Sequence, residues 1–133
     1  MELYMLFGLL KSKEERFLDA AYHGNIEKVK HLLEKGVDIQ YKDTLGINAL
    51  KCAIWQNHKE IISFLLSQGI EIDIYTVLGH TPLTKAISDG NIEIVRLLLE
   101  YGADSKLENG TSLTPLHYAK ENEEMIALLK KYT

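Results

Sequence analysis

Apolar residues recur along this chain in short helical stripes. Val29/Leu32/Leu33, Ile62/Leu65/Leu66 and Val95/Leu98/Leu99 each follow i, i+3, i+4 spacing among polar neighbours. That spacing predicts helices with one apolar face turned to a core. The stripes stand 33 residues apart, as do the glycines behind them, Gly36, Gly69 and Gly102. A glycine in that place ends a helix by adopting a left-handed conformation. Ala20, Ala53, Ala86 and Ala119 keep the same interval. A small residue there lets the first helices of adjacent units approach closely. The pattern predicts repeated units of turn, short helix, tight turn, second helix and loop.

The unit from Gly79 to Asp104 is the clearest. Thr81 predicts an N-cap whose hydroxyl accepts from an orphan backbone N–H, and Pro82 supplies a preset φ at the first helical position. Thr114-Pro115 repeats the device, and Asn48-Ala49 does so with a different capping oxygen. Thr81-Pro82-Leu83, Ala86, Gly90, Ile94-Val95, Leu98-Leu99 and Gly102-Ala103-Asp104 resemble the ankyrin repeat, as does Thr114-Pro115-Leu116-His117-Tyr118-Ala119. The resemblance covers residues 13–133. It implies an all-α solenoid of stacked helix-turn-helix units with β-turn or loop fingers.

The expected organisation is one ankyrin-repeat domain over 1–133, with nothing left over for a second. Its repeats are 13–40, 41–73, 74–106 and 107–133, the first and last acting as caps. Three departures stand out. Unit one lacks the Thr-Pro-Leu entry, and unit two has Asn48-Ala49-Leu50-Lys51 in its place. Unit four is two residues shorter between its helices. Residues 1–12 predict an additional N-terminal capping helix, since Leu3, Leu6, Phe7 and Leu10 form one stripe. The segment lacks a basic n-region and a small-residue cleavage site, and is too short to span a bilayer. Weak membrane contact is the alternative to capping.

Composition narrows the function classes. With 46% hydrophobic and 26% charged residues, the chain can bury a core and stay soluble. The formal net charge of −4 argues against nucleic acid, which demands a basic stripe. Acids exceed bases by one in each of 1–40, 41–73, 74–106 and 107–133, so no block is a charged tail. Cys52 is the only cysteine, which excludes an intramolecular disulfide and fits a reducing cytoplasm, with secretion the alternative because many small exported chains contain no disulfide.

Chemistry is sparse. No two of His23, His31, His58, His80 and His117 are at metal-ligand spacing. Nucleotide-binding glycine motifs and a nucleophile elbow are missing too. Ser88-Asp89 with His80 upstream offers no fixed base beside the serine. No catalytic, cofactor or metal residue is expected, and the chain reads as a non-enzyme. The resemblance assigns His117 a bracing role between loops.

Stacked repeats build long binding surfaces, and the resemblance implies a concave groove formed by the turn tips and the outward side of the first helices. Carried over residue by residue, that groove contains Asp19, Tyr22 and His23; Cys52, Trp55 and Gln56; Lys85, Ser88 and Asp89; and Tyr118, Glu121 and Asn122. The tips add Lys42, Thr44, Leu45 and Ile47, then Tyr75, Val77, Leu78 and His80, then Thr111 and Leu113. Trp55, the only tryptophan, reads as a partner anchor or as a plate stiffening the stack. Leu45 and Leu78 are equivalent apolar tips, either a contact patch or packed on one another between fingers.

The expected function is a cytoplasmic, non-catalytic protein–protein interaction module, monomeric when free. It binds another protein along the groove and acts by occlusion or scaffolding, with no cofactor, nucleic acid or membrane. One alternative is an immunity or antitoxin-type protein that neutralises a toxin or enzyme, mild acidity suiting a basic target. Another is a structural subunit of an oligomer.

Overall fold

The computed structural model describes residues 11–108 and 112–133. Most of the expected capping helix, including Leu3, Leu6, Phe7 and Leu10, lies outside them, as does Thr111. Lys11 and Ser12 are described and are not helical. Eight helices form four pairs among the described residues: α1 (Lys13–His23) with α2 (Ile26–Glu34), α3 (Ala49–Trp55) with α4 (Lys59–Ser67), α5 (Pro82–Ser88) with α6 (Ile92–Glu100), and α7 (Pro115–Ala119) with α8 (Glu123–Lys131). No strand occurs there; one isolated antiparallel bridge joins Lys42 to Asn48.

Local chemistry sets where each helix begins. Ser12 and Glu15 form a reciprocal capping box on α1. Thr81 Oγ1 accepts from Thr84 N at 3.2 Å on α5, which carries Pro82 at its first position. Asn25, Asn91 and Asn122 cap α2, α6 and α8, accepting from Lys28 N, Ile94 N and Met125 N at 3.1, 3.2 and 3.0 Å. His58 holds the corresponding place on α4 but has no side-chain cap bond. Its Nε2 instead meets the Tyr22 carbonyl oxygen of the preceding unit at 2.8 Å. Gly36, Gly69 and Gly102 follow the second helices at φ 95°, 82° and 97°, the conformation expected of them.

The first helices pack in series, α1 on α3, α3 on α5 and α5 on α7, and the second helices form a parallel row. Ala20, Ala53, Ala86 and Ala119 are all buried in the first row, and the apolar stripes of the second helices close the core from the other side. Ala86→Leu therefore forces extra methylenes between helices, which costs about 1–3 kcal/mol. Urea melts should show that loss as a lowered midpoint; an unchanged midpoint would contradict the close packing.

Polar side chains tie each unit to the next. Gln40 donates through Nε2 to the Gly69 carbonyl at 2.9 Å and accepts from Glu71 N at 2.8 Å. Asp73 accepts from Asp104 N at 3.1 Å, and Asn57 accepts from Asn91 Nδ2 at 3.1 Å. Lys59 pairs with Glu93 at 2.6 Å on the solvent side of the second row. Each link spans one unit, as a one-dimensional stack requires.

Candidate functional site

Among the described residues, two fingers project from the stack. In the first, Asp43 Oδ1 accepts from Leu45 N at 2.9 Å and Ile47 N at 3.0 Å, and Asp43 N donates to the Ile47 carbonyl at 3.0 Å. These bonds fold 42–48 into a tight turn with Leu45 at its tip. In the second, Thr76 N donates to the His80 carbonyl at 3.0 Å, placing Val77 and Leu78 at the tip. The fingers join through one main-chain bond, Val77 N to the Leu45 carbonyl at 3.0 Å.

Gly46 makes that approach possible. A Cβ on it would stand 2.3 Å from the Tyr75 carbonyl oxygen, and its φ is +80°. Gly46→Ala adds a left-handed penalty of about 1–2 kcal/mol to that clash. We expect a lowered melting temperature and faster amide exchange at Val77 N; wild-type values for both would remove Gly46 from this role.

A cleft of about 460 Å³ lies between the fingers and the first helices. Leu45, Ile47, Val77, Leu78 and His80 line it from the fingers, Ile54 and Trp55 from the last turn of α3, and Pro82, Lys85 and Ser88 from α5. Leu78 is 78% exposed, Val77 68%, Leu45 50% and Trp55 41%. The two leucine tips thus stay open instead of being buried between the fingers. Trp55 likewise presents much of its indole to solvent.

Lys51 brings charge into this apolar cleft. Positions 51, 84 and 117 share a register, the third residue of a first helix. Thr84 Oγ1 accepts from Thr81 N at 2.9 Å and His117 Nδ1 from Thr114 N at 3.0 Å, closing their capping boxes. A lysine ammonium has donors only and cannot close one. Lys51 sends Nζ to the Gly46 carbonyl at 3.0 Å instead, and is 4% exposed. Burial lowers it from the ordinary lysine range to about 8; Lys42 acts in the same direction and Asp43 opposes.

Other expected groove residues lie elsewhere. Cys52 is a correction: it is buried, and burial, with Asp43 and Asp19 adding to it, pushes its thiol up to about 12. Packing of α1 and α5 on either side of α3 buries every residue from Ala49 to Ile54, so Cys52 stays in the core although Trp55, one turn later, reaches the surface. Glu121 and Asn122 are a second correction. The chain leaves α7 at Ala119 with Lys120 at φ 52°, so neither shares a helix face with Tyr118. Asn122 is exposed but spends its side-chain oxygen capping α8.

Gln56 and Asp89 sit at the C-caps of α3 and α5, Asp89 holding Lys85 in an ion pair at 2.8 Å. Tyr22 and His23 end α1, ring edge to ring face with centroids 5.2 Å apart, and do not line the cleft. Tyr75 is turned away, its hydroxyl donating to the Glu108 carbonyl. Tyr118 is half-buried against His80, and Leu113 is exposed beyond the cleft. Lys51, Ile54, Thr76, Thr81 and Pro82 line the cleft although the sequence pattern did not single them out as groove residues. For Lys51 the signal was its departure from the Thr-Pro-Leu-His register.

Among the described residues no group of three or more His, Cys, Asp or Glu could hold a metal ion, and no helix is long and apolar enough to cross a membrane. A family model described as ankyrin repeats, three copies, matches residues 17–109 and 71–133. Over 54 residues the chain is 44% identical to human (Homo sapiens) short transient receptor potential channel 3, covering 39% of this chain and 6% of that protein. The Rattus norvegicus and Mus musculus proteins of that name are 43% identical over the same length and shares. The chain thus spans about 6% of the length of these curated relatives. With its paired helices, aligned caps and buried alanine column, and with the family model matching from residue 17 to residue 133, this chain belongs to the ankyrin-repeat family.

Proposed function

We propose that this chain is a non-catalytic binding protein that seats a partner protein in the cleft between the two fingers and helices α3 and α5. The observation that carries this is the open apolar surface of Leu45, Trp55, Val77 and Leu78 around one concavity. Exposed apolar surface grouped in a cleft marks interaction sites, and tryptophan is enriched among residues that dominate binding energy. Ankyrin repeats generally mediate protein–protein interaction, and the family is typically non-catalytic. The protein then acts by occlusion or scaffolding, with neutralisation of a toxin or enzyme as one form of occlusion. Lys51 brings a positive charge to the cleft lining, offset in part by Asp43, so overall acidity does not define the partner there. The likeness to a channel covers only 54 residues, 6% of that protein, and carries no channel activity to this chain. A cytoplasmic location belongs to the same proposal and rests on the lone cysteine.

The test is affinity capture from the source cells with wild type, Trp55→Ala, Leu78→Asp and Lys59→Ala, beside light scattering of the free chain. A monomer near 15.1 kDa and a protein retained by wild type and Lys59→Ala but lost by the other two would support the proposal. A stable oligomer dispersed by Leu78→Asp would instead assign the cleft to self-assembly.

A further inference from the structure

We infer that the cleft recognises an acidic-apolar segment of the partner, one that inserts a large aliphatic or aromatic side chain between the fingers and sets an Asp or Glu carboxylate against the Lys51 ammonium. The inference rests on the cleft being the docking site and specifies what docks there.

Three observations carry it. The first is the bonding at Lys51, which meets a main-chain carbonyl and no carboxylate among the described residues. Its ammonium has three N–H donors, and one is taken by the Gly46 carbonyl at 3.0 Å. The ion pairs of the described residues do not include Lys51. Asp43, the acid that acts on it electrostatically, has Oδ1 engaged by the amides of Leu45 and Ile47.

The second is the cost of its position. A buried ammonium is unfavourable unless paired and hydrogen-bonded. The equivalent positions hold Thr84 and His117, which complete helix caps that Lys51 cannot. A repeat that breaks its own local rule and gains no evident stability by it marks a site shaped by something other than folding.

The third is charge complementarity. Lys85 is neutralised by Asp89 at 2.8 Å, whereas Lys51 at the cleft wall has no carboxylate paired to it among the described residues; Lys42 adds positive charge nearby and Asp43, bonded to the finger's own amides, offsets part of it. A carboxylate delivered there gains a charge-assisted hydrogen bond in surroundings that exclude water. The apolar walls receive the adjoining side chain. A purely aliphatic segment would leave the ammonium uncompensated, and a cationic one would be repelled.

Panning a displayed library of random twelve-residue peptides on the intact wild-type chain tests this. Enriched peptides, made as C-terminal amides so that only side-chain carboxylates remain, are titrated by calorimetry. The expected peptides carry Asp or Glu beside Leu, Met or Phe. Changing that acid to its amide should weaken binding by about tenfold or more, the scale of losing a charge-assisted bond. Lys51→Met should cost the same factor, Lys51→Arg should restore part of it, and the amide peptide should lose nothing further on Lys51→Met.

Peptides without an acid, or with affinity indifferent to the amide change, but weakened by Leu78→Asp and Trp55→Ala, would overturn the carboxylate anchor and leave the cleft standing. Peptides indifferent to Leu78→Asp and Trp55→Ala, or no enrichment at all, would overturn both. The amide peptides keep the wild-type protein throughout, so the result does not depend on how Lys51→Met folds.

Discussion

Lys51→Met is expected to stabilise the fold at neutral pH by about 2 kcal/mol. Burial lowers the lysine from 10.5 to about 8, and this difference between folded and unfolded chains corresponds to about 3 kcal/mol against folding when both carry the proton. Losing the bond to the Gly46 carbonyl gives back about 1 kcal/mol. The sign with pH follows from the lowered value. Below about 8 both states are charged and the full penalty applies. Between about 8 and 10.5 the folded chain sheds its proton first, and stability returns.

Cys52 works the other way. Its thiol is held neutral to about 12 in the fold but ionises from the ordinary 9 in the unfolded chain, so stability falls as pH rises above 9. Wild-type stability should therefore rise from pH 8 to 9 and then flatten. The difference between mutant and wild type isolates Lys51: large at pH 7, fading toward pH 10.5. Urea denaturation across this range measures it. A mutant less stable than wild type at pH 7, or a gap independent of pH, would contradict the lysine's cost.

Trp55→Ala should separate binding from folding. The indole is 41% exposed at the last residue of a short helix, so its removal leaves no closed cavity in the core and the folding penalty stays small. For a partner seated in the cleft, the same change should cost about 2 kcal/mol or more, roughly thirtyfold in affinity. Leu78→Asp should act in the same direction by placing a charge in a contact that excludes water. Its side chain is so open in the free protein that folding should hardly register the change.

Most of the fold was legible because repeats sum weak local preferences at a fixed interval. The alanine column, the caps Asn48, Thr81 and Thr114 and the closing glycines each stand where a 33-residue ruler puts them, and all four apolar finger residues of the cleft, Leu45, Ile47, Val77 and Leu78, were visible as misplaced hydrophobics at or beside turn tips. The failures are local. Cys52 obeyed a helical spacing, but burial of α3 from Ala49 to Ile54 comes from neighbours on both sides, which spacing within one helix does not contain. Glu121 and Asn122 were assigned by extending α7 through a two-residue deletion that in fact ends it at Ala119. Lys51 was visible as a departure from the repeat. Its chemistry was not, since a lysine on a short helix ordinarily extends into solvent, whereas this one turns to the Gly46 carbonyl of the finger at the cleft wall.

The most direct test of the cleft as the docking site is titration calorimetry of the captured partner against wild type, Trp55→Ala, Leu78→Asp and Lys59→Ala. Lys59 lies on α4, paired with Glu93 and away from the fingers, so its removal should leave affinity near wild type. Trp55→Ala and Leu78→Asp should each lose roughly thirtyfold. Wild-type affinity for both, with a loss at Lys59→Ala, would place the partner on the opposite face of the stack and contradict the cleft as its site.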